Sequence, residues 1–267
     1  KKEPKKCNRR CEIAMIDIDG IQYPFGGACN RYYNLRHNKK CNHKRLDFIK
    51  TRQKLIFEKY GAKCVSEMDQ GTAANPDRTL SGGKKKNSGK RIAINRSFMV
   101  NTYYPLYSTF FAELGFEPVL PDAYTQEGID QRNAAFCYPG ELAHGYFHSL
   151  LEMKNAPEYI FLPHFKTVPA SDGNTGSQVC PFVQGETFYL RATFREKLDA
   201  LKRRGTKVIT PLLDLTKGLK SAKKPLVEAV IQMGVKNKAA SAAFETARKQ
   251  QMECIAEMWE IGRKAME

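Results

Sequence analysis

No stretch of this sequence approaches the roughly 18–20 consecutive apolar residues of a membrane span. No apolar h-region lies near its start, so no secretory leader is expected either. Acidic residues are scarce beside basic ones: 28 Asp and Glu against 44 Lys and Arg, a formal charge of +16. No repeat of about 20–50 residues is present, which excludes a solenoid or propeller. There is no G-x-G-x-x-G and no Ser–His–Asp arrangement, and Asp122, Glu127 and Asp130 form no acid–base pair. GGKKKNSGK imitates a phosphate loop, but five residues separate Gly83 from Gly89 and Arg91 stands where Ser or Thr is required. It also precedes an expected strand instead of joining a strand to a helix, so it reads as a basic loop. What remains is a chain of 267 residues, 42 % hydrophobic. That is enough for one or two domains with a sizeable core, and it excludes both wholesale disorder and dependence on a disulfide framework. The first residue is Lys1 and not Met, as expected of a fragment of a longer protein.

The positive charge is concentrated. Residues 1–93 hold 23 basic and 9 acidic residues, whereas residues 94–267 hold 21 and 19. Two units with different partners are expected, the first facing nucleic acid, a CoA-type phosphate or an acidic neighbouring domain. The cysteines follow a similar division. Cys7, Cys11, Cys29 and Cys41 fall in the basic part, with Cys64, Cys137, Cys180 and Cys254 beyond them. Without a leader the expected compartment is the reducing cytoplasm, where clustered cysteines read as metal ligands sooner than as disulfides.

Hydrophobic periodicity gives an α/β fold: a Rossmann-like parallel sheet domain, a small Cys-rich N-terminal unit containing a β-hairpin, and C-terminal helices. In the N-terminal unit, residues 1–68, Ile13, Met15, Ile16 and Ile18 lead into Asp19-Gly20, a two-residue hairpin signal, and Ile21, Tyr23 and Phe25 return. Residues 43–60 read as a basic amphipathic helix with Leu46, Ile49, Ile56 and Tyr60 on one side. Residues 69–90, rich in Gly, Asn, Ser and Lys, read as a flexible linker or loop. Residues 91–267 then alternate: strand 91–94, helix 104–114 stopped by Gly115, strand 116–120, helix 139–154, strand 159–162 and strand 207–211, followed by helices over 218–234 and 236–266. This rhythm predicts a parallel sheet.

Two cysteines are placed for chemistry. Cys137 stands two residues before Pro139, and Cys180 immediately before Pro181. Proline favours the first helical turn, so Cys137 is expected at a helix N-terminus, where the dipole favours negative charge on sulfur. In a parallel sheet, ligands gather at the carboxyl ends of strands, and both cysteines are expected at that edge. They supply half of a four-thiolate site, or two of three ligands with an open position. In the N-terminal unit the spacing Cys7-x3-Cys11-x17-Cys29 is folded together by the hairpin, with Cys41, His37 or His43 as a fourth ligand. Zinc and iron–sulfur clusters both accept such a set. His144 and His148 lie four residues apart, but without a Glu after His144 they read as packing or supporting residues. Cys254 lies on a helical apolar face and reads as packing.

NTYYPLYSTFFAELGFEPVLP, FCYPGELAHGYFHSLL, YIFLPHF and CPFVQ together resemble the CoA-substrate-specific enzyme activase region of long anaerobic activators of 2-hydroxyacyl-CoA dehydratases. CNRRCEIAMIDIDGIQYPFGGACNRYYN resembles the segment before it in those proteins. The resemblance covers roughly residues 7–35 and 91–195. That region is similar to the dehydratase and benzoyl-CoA reductase subunit fold. The resemblance implies a [4Fe–4S] cluster, with Cys137 and Cys180 on the matching cysteine positions, in an ATP-driven low-potential electron-transfer system. The long activators carry ATPase domains of the actin/hexokinase type, and no such phosphate motif stands in this chain. The expectation is therefore an accessory iron–sulfur module whose partners are an acidic domain or dehydratase component and a CoA thioester. Zinc or a second cluster is expected at Cys7, Cys11, Cys29 and Cys41. Two alternatives are a zinc-binding basic nucleic-acid-binding protein, with Tyr23, Phe25, Tyr32 and Tyr33 as stacking aromatics, and a dehydratase-like enzyme acting on a CoA thioester.

Overall fold

A computed structural model describes residues 12–26, 47–62, 89–132, 137–170 and 177–266. The described residues divide into two compact units, with the boundary between Phe48 and Ile49.

In the first unit, strands β1 (Ala14–Ile18) and β2 (Ile21–Phe25) form an antiparallel hairpin. Asp19 and Gly20 both take positive φ, 52° and 76°, as the expected two-residue turn requires. The Gly20 N–H donates to Asp17 Oδ1 at 3.0 Å. The register pairs Ala14 with Phe25, Ile16 with Tyr23 and Ile18 with Ile21, so one face of the hairpin is apolar throughout. Cys7, Cys11, Cys29 and Cys41 lie outside the described residues.

From Ile49 onward the second unit holds the rest of α1 (Phe48–Gln53), which widens into a π-helical turn over Lys54–Lys59. The change of pitch alters which residues face inward. Leu55 and Ile56 are buried, whereas Ile49, expected on the apolar side, is 75 % exposed. Then follow β3 (Lys90–Ile94), α2 (Val100–Glu113), β4 (Phe116–Val119), α3 (Gln126–Asp130), α4 (Tyr138–Leu151) and β5 (Tyr159–Phe161). After these come β6 (His164–Thr167), α5 (Pro181–Thr193), α6 (Arg195–Arg203), β7 (Lys207–Ile209), β8 (Leu212–Asp214), α7 (Lys223–Ile231) and α8 (Asn237–Met266).

Four strands form a wholly parallel sheet in the order β4-β3-β5-β7. The expected sheet is thus present. Two helices that the periodicity did not signal, α5 and α6, lie between β6 and β7. Pro163 and Pro211 lack the N–H that a ladder needs. The β5–β7 pairing is therefore interrupted there and resumes as the two-stranded parallel sheet β6–β8.

Side chains of the sheet alternate between two cores, because successive Cβ atoms point to opposite faces. Ile92, Ile94, Tyr159 and Phe161 pack with the α2 aromatics Tyr107, Phe110 and Phe111 and with Phe244 of α8. Ala93, Val119 and Ile160 pack with Phe147 of α4, Leu190 of α5 and Leu198 of α6. The result is a three-layer α/β/α unit.

Candidate functional site

The strand order fixes where a ligand can reach. The chain passes from β3 outward to β4 and then crosses back to β5 on the other side of β3. Connections therefore leave the carboxyl ends of β3 and β5 in opposite directions. Such a divergence marks the usual ligand position in open parallel sheets.

Three segments meet there. Asn95 and Ser97 follow directly on β3 and are buried, as is Glu186 of α5. Asn95 Nδ2 donates to Glu186 Oε1 at 3.0 Å, to Ser97 Oγ at 3.1 Å and to the Ala143 carbonyl of α4 at 3.3 Å. Ser97 Oγ also donates to Glu186 Oε1. Burial raises the Glu186 carboxyl from 4.5 to about 7, against the two hydrogen bonds that favour the ionised form.

Near this carboxyl several buried polar atoms have no hydrogen-bond partner among the described residues: Asn95 Oδ1 and the Tyr107 and Tyr189 hydroxyls. Buried polar groups are ordinarily paired, so a local concentration of unpaired ones marks a place for water or ligand. Burial foremost, and then the nearby Glu186, holds the Tyr189 hydroxyl well above its ordinary range, with Cys137 and Cys180 adding to the rise.

Cys137 and Cys180 are the N-cap residues of α4 and α5. Each is followed by proline in the first turn, each has extended ψ, at 150° and 138°, and neither side chain caps its own helix. Both thiols are exposed. Gly140 separates Cys137 from α5: a Cβ there would stand 3.6 Å from Cys137 Sγ and 3.8 Å from Phe182 Cδ1. Among the described residues no group of three or more His, Cys, Asp or Glu could hold a metal ion. The two thiols are thus soft donors suited to a cluster or zinc, and an incomplete set among the described residues. Cys254 is buried in α8, and burial pushes its thiol up to about 11, as suits a packing residue.

The histidine pair supports the site without entering it. His144 stacks on Tyr189 with ring centroids 5.1 Å apart, and its Nδ1 donates to the Gly140 carbonyl at 2.9 Å. Burial lowers His144, which favours its neutral form. His148 Nδ1 meets Thr125 Oγ1 at 2.8 Å, and Thr125 caps α3 by accepting from the Gly128 N–H at 3.1 Å. Glu186, Asn95 and Ser97 carry no motif in the sequence. For Asn95 and Ser97 the signal is topological, polar residues directly after a buried strand, whereas Glu186 lies inside α5.

The hairpin gives the nucleic-acid alternative no support. Residues 12–26 carry Tyr23 and Phe25 beside Glu12, Asp17 and Asp19 and contain no Lys or Arg. Tyr32 and Tyr33 lie outside the described residues. Among the described residues no helix is long and apolar enough to cross a membrane.

No curated protein and no solved structure matches the chain significantly. Residues 91–267 match the family described as CoA enzyme activase uncharacterised domain (DUF2229). That span takes in the whole parallel sheet from Arg91 onward, both helices capped by cysteine and the C-terminal helices. The chain belongs to the CoA enzyme activase uncharacterised domain family.

Proposed function

We propose that this chain is part of an activator of a 2-hydroxyacyl-CoA dehydratase-type enzyme, and that it carries electrons through an iron–sulfur cluster held by Cys137 and Cys180. The observation that carries this reading is the common placement of the two thiols. Each starts a helix at the same sheet edge, and each is exposed. A thiolate-ligated cluster, when bound, supplies one-electron chemistry at low potential.

The chain's own part is to bind, orient and shield. Free N–H groups in the first turns of α4 and α5 favour the negative charge of thiolate ligands. The missing side chain at Gly140 leaves room beside Cys137 Sγ, and Phe182 supplies an apolar wall. The Tyr189 hydroxyl, which has no partner among the described residues, is a donor available to sulfur. Cys7, Cys11, Cys29 and Cys41 are proposed as a second metal site, for zinc or a further cluster. A dehydratase component and its CoA thioester are the proposed partners. The chain's contribution is electron transfer, since no phosphate-binding motif stands in it.

The test is anaerobic purification with iron, acid-labile sulfide and zinc analysis, and electron paramagnetic resonance of the dithionite-reduced protein. Expected are iron and sulfide in similar amounts, and loss of the reduced signal in Cys137→Ser and in Cys180→Ser. Full retention of that signal in both variants removes the two residues from the site.

A further inference from the structure

Beyond residue 93 the positive charge is gathered in one place. Residues 191–204 hold six basic residues and two acidic ones, whereas residues 94–267 as a whole are nearly balanced at 21 and 19. The stretch runs from the end of α5 through α6. Between the two helices the chain bends at Phe194, whose ψ of 29° leaves the helical region. The bend is pinned by packing: Phe194 is 2 % exposed and meets the rings of His144, Phe147 and His148 at centroid distances of 5.6–6.1 Å.

Along this bend lies an open cavity of about 390 Å³, a size that takes one small molecule. Phe188, Arg191, Arg195, Leu198, Asp199 and Lys202 line it. Its wall thus carries three cations and one carboxylate. That carboxylate is engaged: Asp199 Oδ1 pairs with Lys202 Nζ at 2.9 Å, and Oδ2 stands 3.9 Å from Arg195 Nε. Lys202 foremost, with Arg195 and Arg203 behind it, holds the Asp199 carboxyl below its ordinary range. Arg191 pairs with no carboxylate among the described residues. Leu198 is buried and gives an apolar floor, and Phe188 is 59 % exposed. The Phe188 ring meets His164 of β6 edge to face, with centroids 5.1 Å apart, which steadies it beside the cavity.

A solvated charged helix face needs neither a concavity nor an exposed aromatic ring. An unpaired guanidinium beside an open ring suits a ligand with phosphates and a planar ring. The Arg fork bonds phosphate oxygens in pairs, and a base stacks on an aromatic face. We propose that this cavity binds a nucleoside diphosphate, its phosphates on Arg191, Arg195 and Lys202 and its base on Phe188. The only carboxylate on the wall is held by two cations and is no free base, so the site binds and releases the ligand without cleaving it. The inference stands apart from the iron–sulfur reading, because no lining residue belongs to the first turns of α4 or α5.

Calorimetric titration of the full chain at low salt, with ADP, adenosine and pyrophosphate as ligands, tests it. ADP is expected to bind at least about tenfold more tightly than either part, since ring and phosphates act together. Phe188→Ala should weaken ADP about tenfold and leave pyrophosphate unchanged. Arg191→Gln and Arg195→Gln should each weaken ADP and pyrophosphate about tenfold. Lys238→Gln, an equal loss of charge on α8 at a residue that does not line the cavity, should weaken neither. All four side chains are exposed, and matching thermal melts show that the variants keep the fold. No binding of ADP at about 1 mM overturns the site. So does pyrophosphate binding as tightly as ADP, or a loss in Lys238→Gln equal to that in Arg191→Gln. An oligoglutamate peptide that binds more tightly than ADP also overturns it, and makes the patch a docking surface for an acidic protein.

Discussion

Glu186 also shapes stability. Its folded-state value, about 7, lies above that of an exposed glutamate. Below about pH 4.5 both folded and unfolded chains hold the proton, and the native state carries no penalty from this group. Between 4.5 and 7 the unfolded chain has lost the proton while the folded one keeps it, so stability falls as pH rises through that window. Above it both are ionised and the slope vanishes. The shift corresponds to a loss on the order of 3 kcal/mol for this wholly buried group. Glu186→Gln keeps an acceptor oxygen for Asn95 and Ser97 and has no proton to lose. Urea unfolding at pH 5 and pH 8 is expected to show a smaller difference between the two conditions in the variant than in the wild type. An identical difference in both proteins would mean that Glu186 is ionised across the range. None of this was legible in the sequence. Asn95, Ser97 and Glu186 are separated by up to 91 positions, and only the fold reveals the burial that raises the carboxyl. The two cysteines were legible as helix starts, because proline in a first turn is a local signal that packing did not override.

Among the elements, α2 carries a proline inside it, Pro105, and still packs as the central helix of one core. Proline removes one helical donor and its ring pushes away the carbonyl four residues earlier. Gln251 of α8, fully buried, occupies the opened ladder. Its Oε1 accepts from the Leu106 N–H at 3.1 Å and its Nε2 donates to the Thr102 carbonyl at 3.0 Å. A side-chain amide thus stands where the direct Thr102–Leu106 bond would be. Gln251→Leu leaves a donor and an acceptor buried and unpaired. At about 1–3 kcal/mol for each, a loss of about 2–6 kcal/mol is expected in equilibrium unfolding. Pro105→Ala in the same chain lets the helix straighten and close its own ladder, so the double variant should recover part of that loss. No recovery would mean that the opening of the ladder is set by the packing of α8 and not by the proline. The sequence showed both helices but not the bond between them, since Gln251 reads as one polar residue in a charged helix. The missed helices have a different explanation. In α5, Gly185 and the exposed Phe188 blur the apolar stripe, and α6, at 9 residues, shows only two buried leucines.

For the whole molecule, the compact unit begins before the family match does. The match starts at residue 91, whereas residues 49–62 already belong to the second unit. Charge placed this segment with the basic N-terminal part in the sequence reading, and its packing is with α2 and α8. Ile56 is 1 % exposed and lies in the same core as Tyr104 and Phe110. The Phe57 and Tyr104 rings are 5.0 Å apart. Gly61 comes so close to Tyr104 that a Cβ would stand 2.7 Å from its ring. Tyr60 Oη donates to Glu257 Oε2 of α8 at 2.6 Å, which pushes the tyrosine up to about 12, and Lys59 Nζ pairs with the same oxygen at 2.5 Å. The surface pair contributes little, because solvent screens it. The buried side chains dominate. Leu55 and Ile56 together contribute about 3–6 kcal/mol of apolar burial. A chain of residues 49–267 should therefore melt close to the full sequence, within a few degrees. One of residues 91–267 should melt lower by roughly 10 °C or more, since each kcal/mol shifts the midpoint of a domain this size by about 2–4 °C. It should also bind a hydrophobic dye, because losing the segment uncovers Tyr104 and the apolar flank of α2. Thermal scans of the three chains decide the matter. If residues 91–267 melt together with residues 49–267, the segment rests on a core that is already complete, and the family match marks the true edge of the folding unit.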